Sequence, residues 1–366
     1  MIPVCSPMLV GNEAKYVNEA VSTGWISSSG KYVNDFEKAY AAYCGTEYAV
    51  AVCNGTVALH LMLVAAGIGK DDEVIIPSFT MAATAFSVCY AGAKPVFVDS
   101  HQQTWNIDPA KIEEKITPKT KAIMVVHIFG NPCDMDSINA IAKKHNLLVL
   151  DDSAEAHGAE YKGKKTGNLA AITAFSFFAN KNLTTGEGGM VLTNSKDFYD
   201  KLRYYKNVCF PLDAPRIYEH ANIGFNYRMS NLHAAIGLAQ TEKADFYREL
   251  RIRNAELYRK KLSKIKDIEF QQNEPDSLNV HWMNAILVPD RDKIIEHLKN
   301  NGIETRLLFT GMHKQKSLLD YGCDGSGDYS VTEHLTEHGL YLPSGSNLRE
   351  EDIEFVCEKI KEGMEE

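Results

Sequence analysis

Through the first two-thirds of the chain, short β-branched and aliphatic runs alternate with helix-length segments. The runs at 48–52, 73–76, 95–99, 122–128, 147–151, 172–177 and 189–193 are nearly continuous in apolar side chains. That is the pattern of strands buried on both faces. Between the earlier runs, residues 56–66, 81–91, 109–116 and 135–145 predict helices. Buried strands separated by helices imply an α/β fold, a mainly parallel mixed sheet covered by helices. The polar, glycine-bearing stretch 161–167 predicts an exposed turn.

Beyond about residue 240 the texture changes. A long charged segment, 243–265, predicts a surface helix. A strand-like run at 280–288, a helix at 291–300, a short run with Ile303 and Arg306, and a last helix at 350–361 follow. The expected division is a large domain over 1–240 and a smaller α+β domain over 241–366. The segment CDGSGDY (323–329) predicts a mobile surface loop. Two uncharged stretches, 49–69 and 74–93, reach membrane-span length. Each is broken by turn residues, Asn54-Gly55-Thr56 in the first and Pro77-Ser78 in the second, so strand–turn–helix is the better description.

Composition narrows the function. The 366 residues are 45% hydrophobic and 24% charged, which excludes a disordered chain. Lys plus Arg is 39 against 48 Asp plus Glu, a net charge of −9 with no basic block. That balance argues against nucleic acid or a membrane surface as partner. The eight cysteines show no paired or zinc-finger spacing, and no metal site is expected. Reduced cysteines, and no cationic-then-apolar leader at Met1-Ile2-Pro3-Val4, point to a cytoplasmic protein.

Three segments carry chemistry. In AVAVCNGTVAL (49–59) a buried strand ends in Asn-Gly-Thr and a helix starts at once. Free N–H groups at a helix start bind anions; Gly55 admits close backbone approach and Thr56 adds a hydroxyl. An ordinary capped turn would use the same residues. In LVLDDSAEA (148–156) Asp151 and Asp152 end an apolar strand and Glu155 follows, where open α/β sheets bind ligands. Such a carboxylate can hold a metal, keep a heterocyclic nitrogen protonated, or cap a helix. In TAFSFFANKNLTTGEGGM (173–190) a strand delivers Ser176, two aromatics and a lone Lys181 before a glycine-dense turn. A lysine walled by Phe177 and Phe178 is a candidate for a depressed amine pKa and Schiff-base chemistry. An anion cradle (Gly55, Thr56, Ser176), a strand-end carboxylate (Asp152) and such a lysine together match the needs of pyridoxal phosphate. A nicotinamide oxidoreductase would need G-x-G-x-x-G after the first strand, which is absent.

With these segments in view, the chain resembles the nucleotide-sugar aminotransferases of the DegT–StrS type, a branch of the fold-type-I pyridoxal phosphate enzymes, and within it the GDP-perosamine synthases. The resemblance runs through GWISSSGKYVNDFE (24–37), VCNGTVALHL (52–61), DEVIIPSFT (72–80), DDSAEAHG (151–158), FSFFANKNLTTGEGGM (175–190) and FNYRMSNLHAAIG (225–237). It implies that Lys181 forms the Schiff base and moves the proton. Asp152 would partner the pyridine nitrogen, Glu155 would lie near the ring hydroxyl, and Gly55, Thr56 and Ser176 would hold the phosphate. Asn226 would reach the phosphate from the neighbouring subunit, which implies a homodimer with shared active sites. Met81 stands where relatives stack an aromatic on the ring, Ser29 where an Arg is common, and Gly311-Met312-His313 where relatives carry Pro-x-His. Trp25, Ser27, Ser28, Arg228, Arg306 and His313 are the positions implied for the substrate.

The reaction so implied takes an amino group from L-glutamate and gives it to a ketone, C4 of a nucleotide-linked 4-keto-6-deoxyhexose, with ping-pong kinetics. The departures at Ser29, Met81 and Met312 leave open a keto-inositol or a small keto-phosphate. A non-catalytic regulator binding pyridoxamine phosphate is the reading from another class, and the intact Lys181 argues against it.

Overall fold

The computed structural model describes residues 1–212, 214–215 and 217–365. Seven strands, β1 (Tyr48–Val52), β2 (Glu73–Pro77), β3 (Lys94–Val98), β4 (Thr120–Val126), β5 (Leu148–Asp152), β6 (Ile172–Ser176) and β7 (Gly189–Thr193), form one sheet. Their order is β1-β7-β6-β5-β4-β2-β3. From β6 to β3 every pairing is parallel, and β7 runs antiparallel to both β6 and β1. The mainly parallel α/β sheet expected from the sequence is therefore present. The reversed β7 has no signature of its own, because all five of its residues are buried and no polar face marks an antiparallel strand.

Alternate residues of each strand serve opposite faces. Val50, Val52, Val74, Ile76, Leu150 and Val191 pack under helix Gly55–Ala65. Ile75, Ile123, Val125 and Val149 pack against helix Met135–His145. Ala49, Ala51, Phe175 and Met190 meet Phe36 and Tyr40 of helix Lys31–Cys44. The helix expected at 109–116 is instead two short 3-10 turns, Pro109–Lys111 and Glu113–Lys115. Ile112 is its one deeply buried apolar side chain, too little for an amphipathic stripe.

Further along, helix Ala244–Leu262 leads to a second sheet of β8 (Glu269–Phe270), β9 (Asn284–Leu287), β10 (Arg306–Leu307) and β11 (Gly339–Leu342). The order is β8-β9-β11-β10, antiparallel throughout. Helices Arg291–Asn300 and Glu350–Glu365 complete its core around Ile286, Leu298, Leu340 and Ile353. The first residues of the chain join this sheet's surroundings: Ile2 N–H donates to Gly302 O (2.8 Å) and Ser344 N–H to Val4 O (2.7 Å). The strand expected at 280–288 is shorter, and its first part has another use. Val280 and Trp282 N–H groups donate to Gly130 O (3.1 Å) and Phe129 O (2.8 Å) in the 3-10 turn Ile128–Gly130, so this stretch is bonded to the turn that follows β4 of the main sheet. Among the described residues no helix is long and apolar enough to cross a membrane.

Candidate active site

After β6 the chain doubles back before entering β7. Phe177 N–H donates to Gly188 O (2.8 Å) and Lys181 N–H to Phe178 O (2.9 Å), which closes a tight loop around the lysine. Phe177 and Phe178 do not wall the amine as the sequence suggested. Phe177 is fully buried against Phe36 and Tyr40, and Phe178 is half exposed. The aromatic ring against Lys181 is Trp282, whose centroid lies 3.5 Å from Nζ. Burial depresses the Lys181 amine, and the Glu155 and Asp152 carboxylates only partly oppose it. One amine and two carboxylates thus meet at the carboxyl end of β5 and β6, where open α/β sheets bind ligands.

Asp152 is buried at 4% exposure. Its Oδ2 accepts from the Thr84 hydroxyl (2.7 Å) and its Oδ1 from the Ala154 N–H (3.1 Å). Desolvation raises its pKa against those two hydrogen bonds and the Lys181 charge. A buried carboxylate whose hydrogen-bond partners are neutral suits a cationic ring nitrogen. Glu155 is as deeply buried, and Oε2 accepts from the Phe129 N–H (2.7 Å). Burial raises its pKa too, with Lys181 opposing. Phe129 has φ +56°, a left-handed conformation that turns its N–H onto the acid.

The start of helix Gly55–Ala65 and Ser176 come together at one place. Asn54 caps helix Gly55–Ala65, its side chain accepting from Val57 N–H (3.0 Å). The Gly55 and Thr56 N–H groups precede the first intrahelical bond and have no partner within the helix. Gly55 lies against Ser176: a Cβ there would stand 2.6 Å from Ser176 Cβ. The close approach aligns the Ser176 hydroxyl with the helix start. These donors and the hydroxyl have the chemistry to hold a phosphate, so the residues present fit pyridoxal phosphate at both ends. Met81, 53% exposed, begins helix Ala82–Tyr90, which carries Thr84.

The remaining predicted positions are more dispersed. Trp25 and Ser27 lie on an exposed loop pinned through its backbone, with Asn231 Nδ2 donating to Trp25 O (2.6 Å) and Asn231 N–H to Ser27 O (2.8 Å). Ser28 and Arg228 line one cavity of about 480 Å³, together with Glu37, Arg203 and Lys206. Arg228 Nη1 donates to Asn207 Oδ1 (3.0 Å). Asn226 is exposed on a segment bridged to Asn207. Arg306 is exposed and pairs with Glu304 (3.2 Å). His313 is buried, with its ring nitrogens near Ser78 Oγ (2.7 Å) and Glu333 Oε1 (3.4 Å) and its face stacked on Tyr329.

Sequence reasoning missed three residues. Thr84 holds Asp152, and its place three residues past Met81 on a helix was the available signal. His157, inside the DDSAEAHG segment, lies 2.7 Å from both Ser176 O and the Tyr40 hydroxyl. The carbonyl only accepts, so Nε2 carries the proton and Nδ1 accepts from Tyr40. Burial pushes this imidazole down to about 3, so it stays neutral and fixes Ser176 from behind. Trp282 had no signal, since it lies 101 positions away and reads as core.

Comparison with known proteins agrees with this geometry. Residues 7–361 match the model of the DegT/DnrJ/EryC1/StrS aminotransferase family. A GDP-perosamine synthase of Escherichia coli O157:H7 is 43% identical over 364 residues, 99% of this chain and 98% of the relative. A GDP-perosamine synthase of Caulobacter vibrioides is 46% identical over 361 residues, 97% and 96% of the two chains. Among solved structures, S. venezuelae DesV in complex with a ketimine intermediate superposes with a TM-score of 0.92 at 31% identity, covering 97% of this chain and 95% of that one.

Proposed function

Because the chain belongs to the DegT/DnrJ/EryC1/StrS aminotransferase family, we propose that it is a cytoplasmic homodimer that uses pyridoxal phosphate to carry an amino group from L-glutamate to C4 of a GDP-linked 4-keto-6-deoxyhexose. The observation that carries the reading is the meeting of Lys181 with Asp152 and Glu155, three groups close enough to shift one another's charge. The cofactor supplies an electron sink for the carbon that loses its proton. Asp152 holds the ring nitrogen in its protonated form. Glu155 commits one oxygen to Phe129 N–H and leaves the other for the ring hydroxyl. The Gly55 and Thr56 N–H groups and the Ser176 hydroxyl take the phosphate. Lys181 would hold the cofactor, and its free amine would take the proton from the donor's α-carbon and give one back to the acceptor's carbon. Burial lowers its pKa, which favours the neutral amine that acts as base.

The acceptor reading draws on the two GDP-perosamine synthases and on the cavity of Ser28, where Arg203, Arg228 and Lys206 outnumber the acidic Glu37 that pairs with Lys206 (3.1 Å), a balance suited to a diphosphate. Trp25 and Ser27 sit on the adjoining loop. Arg306 would join by leaving Glu304, and His313 by leaving Glu333. The homodimer reading draws on exposed apolar side chains, with Trp25 at 57%, Ile26 at 49% and Met81 at 53% exposure, and on the exposed Asn226.

The test supplies the loaded protein with isotopically labelled L-glutamate and one ketone at a time, and reads the product by mass spectrometry. The expected result is one labelled amino sugar nucleotide per 2-oxoglutarate. Transfer only to a keto-inositol or a small keto-phosphate overturns the acceptor. A cofactor spectrum that does not respond to L-glutamate overturns the donor. Transfer to no ketone at all points to a regulator.

A further inference from the structure

The segment that leads into β9 carries Trp282, which contacts the Lys181 side chain and the backbone just before it. The Lys181 Nζ lies 3.5 Å from the ring centroid. The indole N–H donates to Asn180 O (2.9 Å), the carbonyl of the peptide that leads into Lys181. Cys5 Sγ lies 3.5 Å from the same oxygen. Trp282 is itself held at both backbone groups, its N–H on Phe129 O (2.8 Å) and its carbonyl accepting from Arg251 Nη1 (3.0 Å). With 5% exposure it has little freedom to move.

We propose that Trp282 is a positioning residue for Lys181. Its indole N–H fixes the backbone from which the lysine springs, and its ring face is the resting place of the amine whenever that amine is not bonded to the cofactor. The groups facing the amine are then the indole face on one side and Glu155, Asp152 and Cys5 on the others. A cation over an aromatic face is attracted by the ring quadrupole, more strongly where water is excluded. The ring therefore offsets part of the cost of a buried ammonium and gives the displaced lysine one defined orientation. Ordinary packing by an aromatic residue needs neither the indole hydrogen bond nor a centroid directly under Nζ. The inference rests on Lys181 being the residue that bonds the cofactor, and the test separates the two.

First, borohydride reduction of the loaded full-length protein shows whether Lys181 carries the cofactor; if it does not, the functional reading fails, whatever Trp282 does. Second, the cofactor-free full-length protein is treated with acetic anhydride across a pH series, and acetylation of Lys181 is followed by peptide mass spectrometry. Trp282→Leu, which removes the ring face, is expected to acetylate about fivefold faster at neutral pH because the ammonium form has lost its support. Trp282→Phe, which keeps the face, is expected to stay within about twofold of the parent. Equal rates in Trp282→Leu and the parent overturn the proposal. Should Trp282→Leu not fold, the tryptophan emission of the parent is compared with that of Lys181→Met over the same pH range. The parent should show an emission step as Lys181 loses its proton, and Lys181→Met should not. Superimposable curves overturn the proposal.

Discussion

Lys181 has to be reactive in a protein whose other lysines are not, and its surroundings supply the reason. It is desolvated, it faces two carboxylates whose charge only partly offsets that burial, and its amine lies against an indole. Removing the amine takes away the group proposed to move the proton, so Lys181→Ala should lower turnover by at least about a thousandfold. Circular dichroism should be unchanged, and stopped-flow absorbance with L-glutamate is the check. Asp152→Asn keeps the shape but removes the charge proposed to hold the ring nitrogen protonated. Turnover should fall by roughly a hundredfold or more, with cofactor retained through the phosphate cradle. The lysine and the acid were legible because they lie within single short segments. Thr84, His157 and Trp282 were not, because each acts through a contact that only the folded chain creates. The Thr84–Asp152 hydrogen bond, for example, joins residues 68 positions apart.

At the scale of elements, strand ends and helix starts do the positioning. Gly55→Ala would force a Cβ to 2.6 Å from Ser176 Cβ, so helix Gly55–Ala65 must shift off β6. That overpacking should cost about 1–3 kcal/mol in a denaturant melt and weaken cofactor binding, read by spectroscopic titration. Beneath the site, His127 and Asp151 form a buried pair 3.3 Å apart. The Cys133 N–H donates to Nδ1 (3.0 Å), so that nitrogen carries no proton and Nε2–H faces the Asp151 carboxylate. His127→Asn takes the imidazole from a buried carboxylate and should cost about 3–5 kcal/mol in paired denaturant melts. The strands were legible because both faces of a parallel sheet are covered and each strand is uniformly apolar. The same uniformity hid the direction of β7, and it merged Val280–Met283 with β9 although that stretch is bonded to the turn that follows β4.

For the molecule as a whole, the C-terminal sheet is tied into the chemistry by its link to the main one. Arg251, 2% exposed, donates to Ser346 Oγ (2.9 Å), Trp282 O (3.0 Å), Ser344 O and Cys5 Sγ (3.3 Å). One buried cation thus gathers the start of the chain, the Trp282 segment and the end of β11. None of this could be read from composition, because one arginine among several in a charged helix reads as solvated surface. The proposed shared sites make a prediction at this scale. Lys181→Ala and Asn226→Ala should each be nearly inactive alone, yet after co-refolding in equal amounts they should recover about a quarter of parental activity, through mixed dimers with one intact site. No recovery, with a dimer confirmed by light scattering, would place Asn226 at its own subunit's site. The central claim has a more direct test, peptide mapping of the full-length protein after loading with pyridoxal phosphate and reduction with borohydride. The account predicts a single modified peptide, with the pyridoxyl mass on Lys181 and loss of the visible absorbance. Modification spread over surface lysines, or none at all, would contradict it.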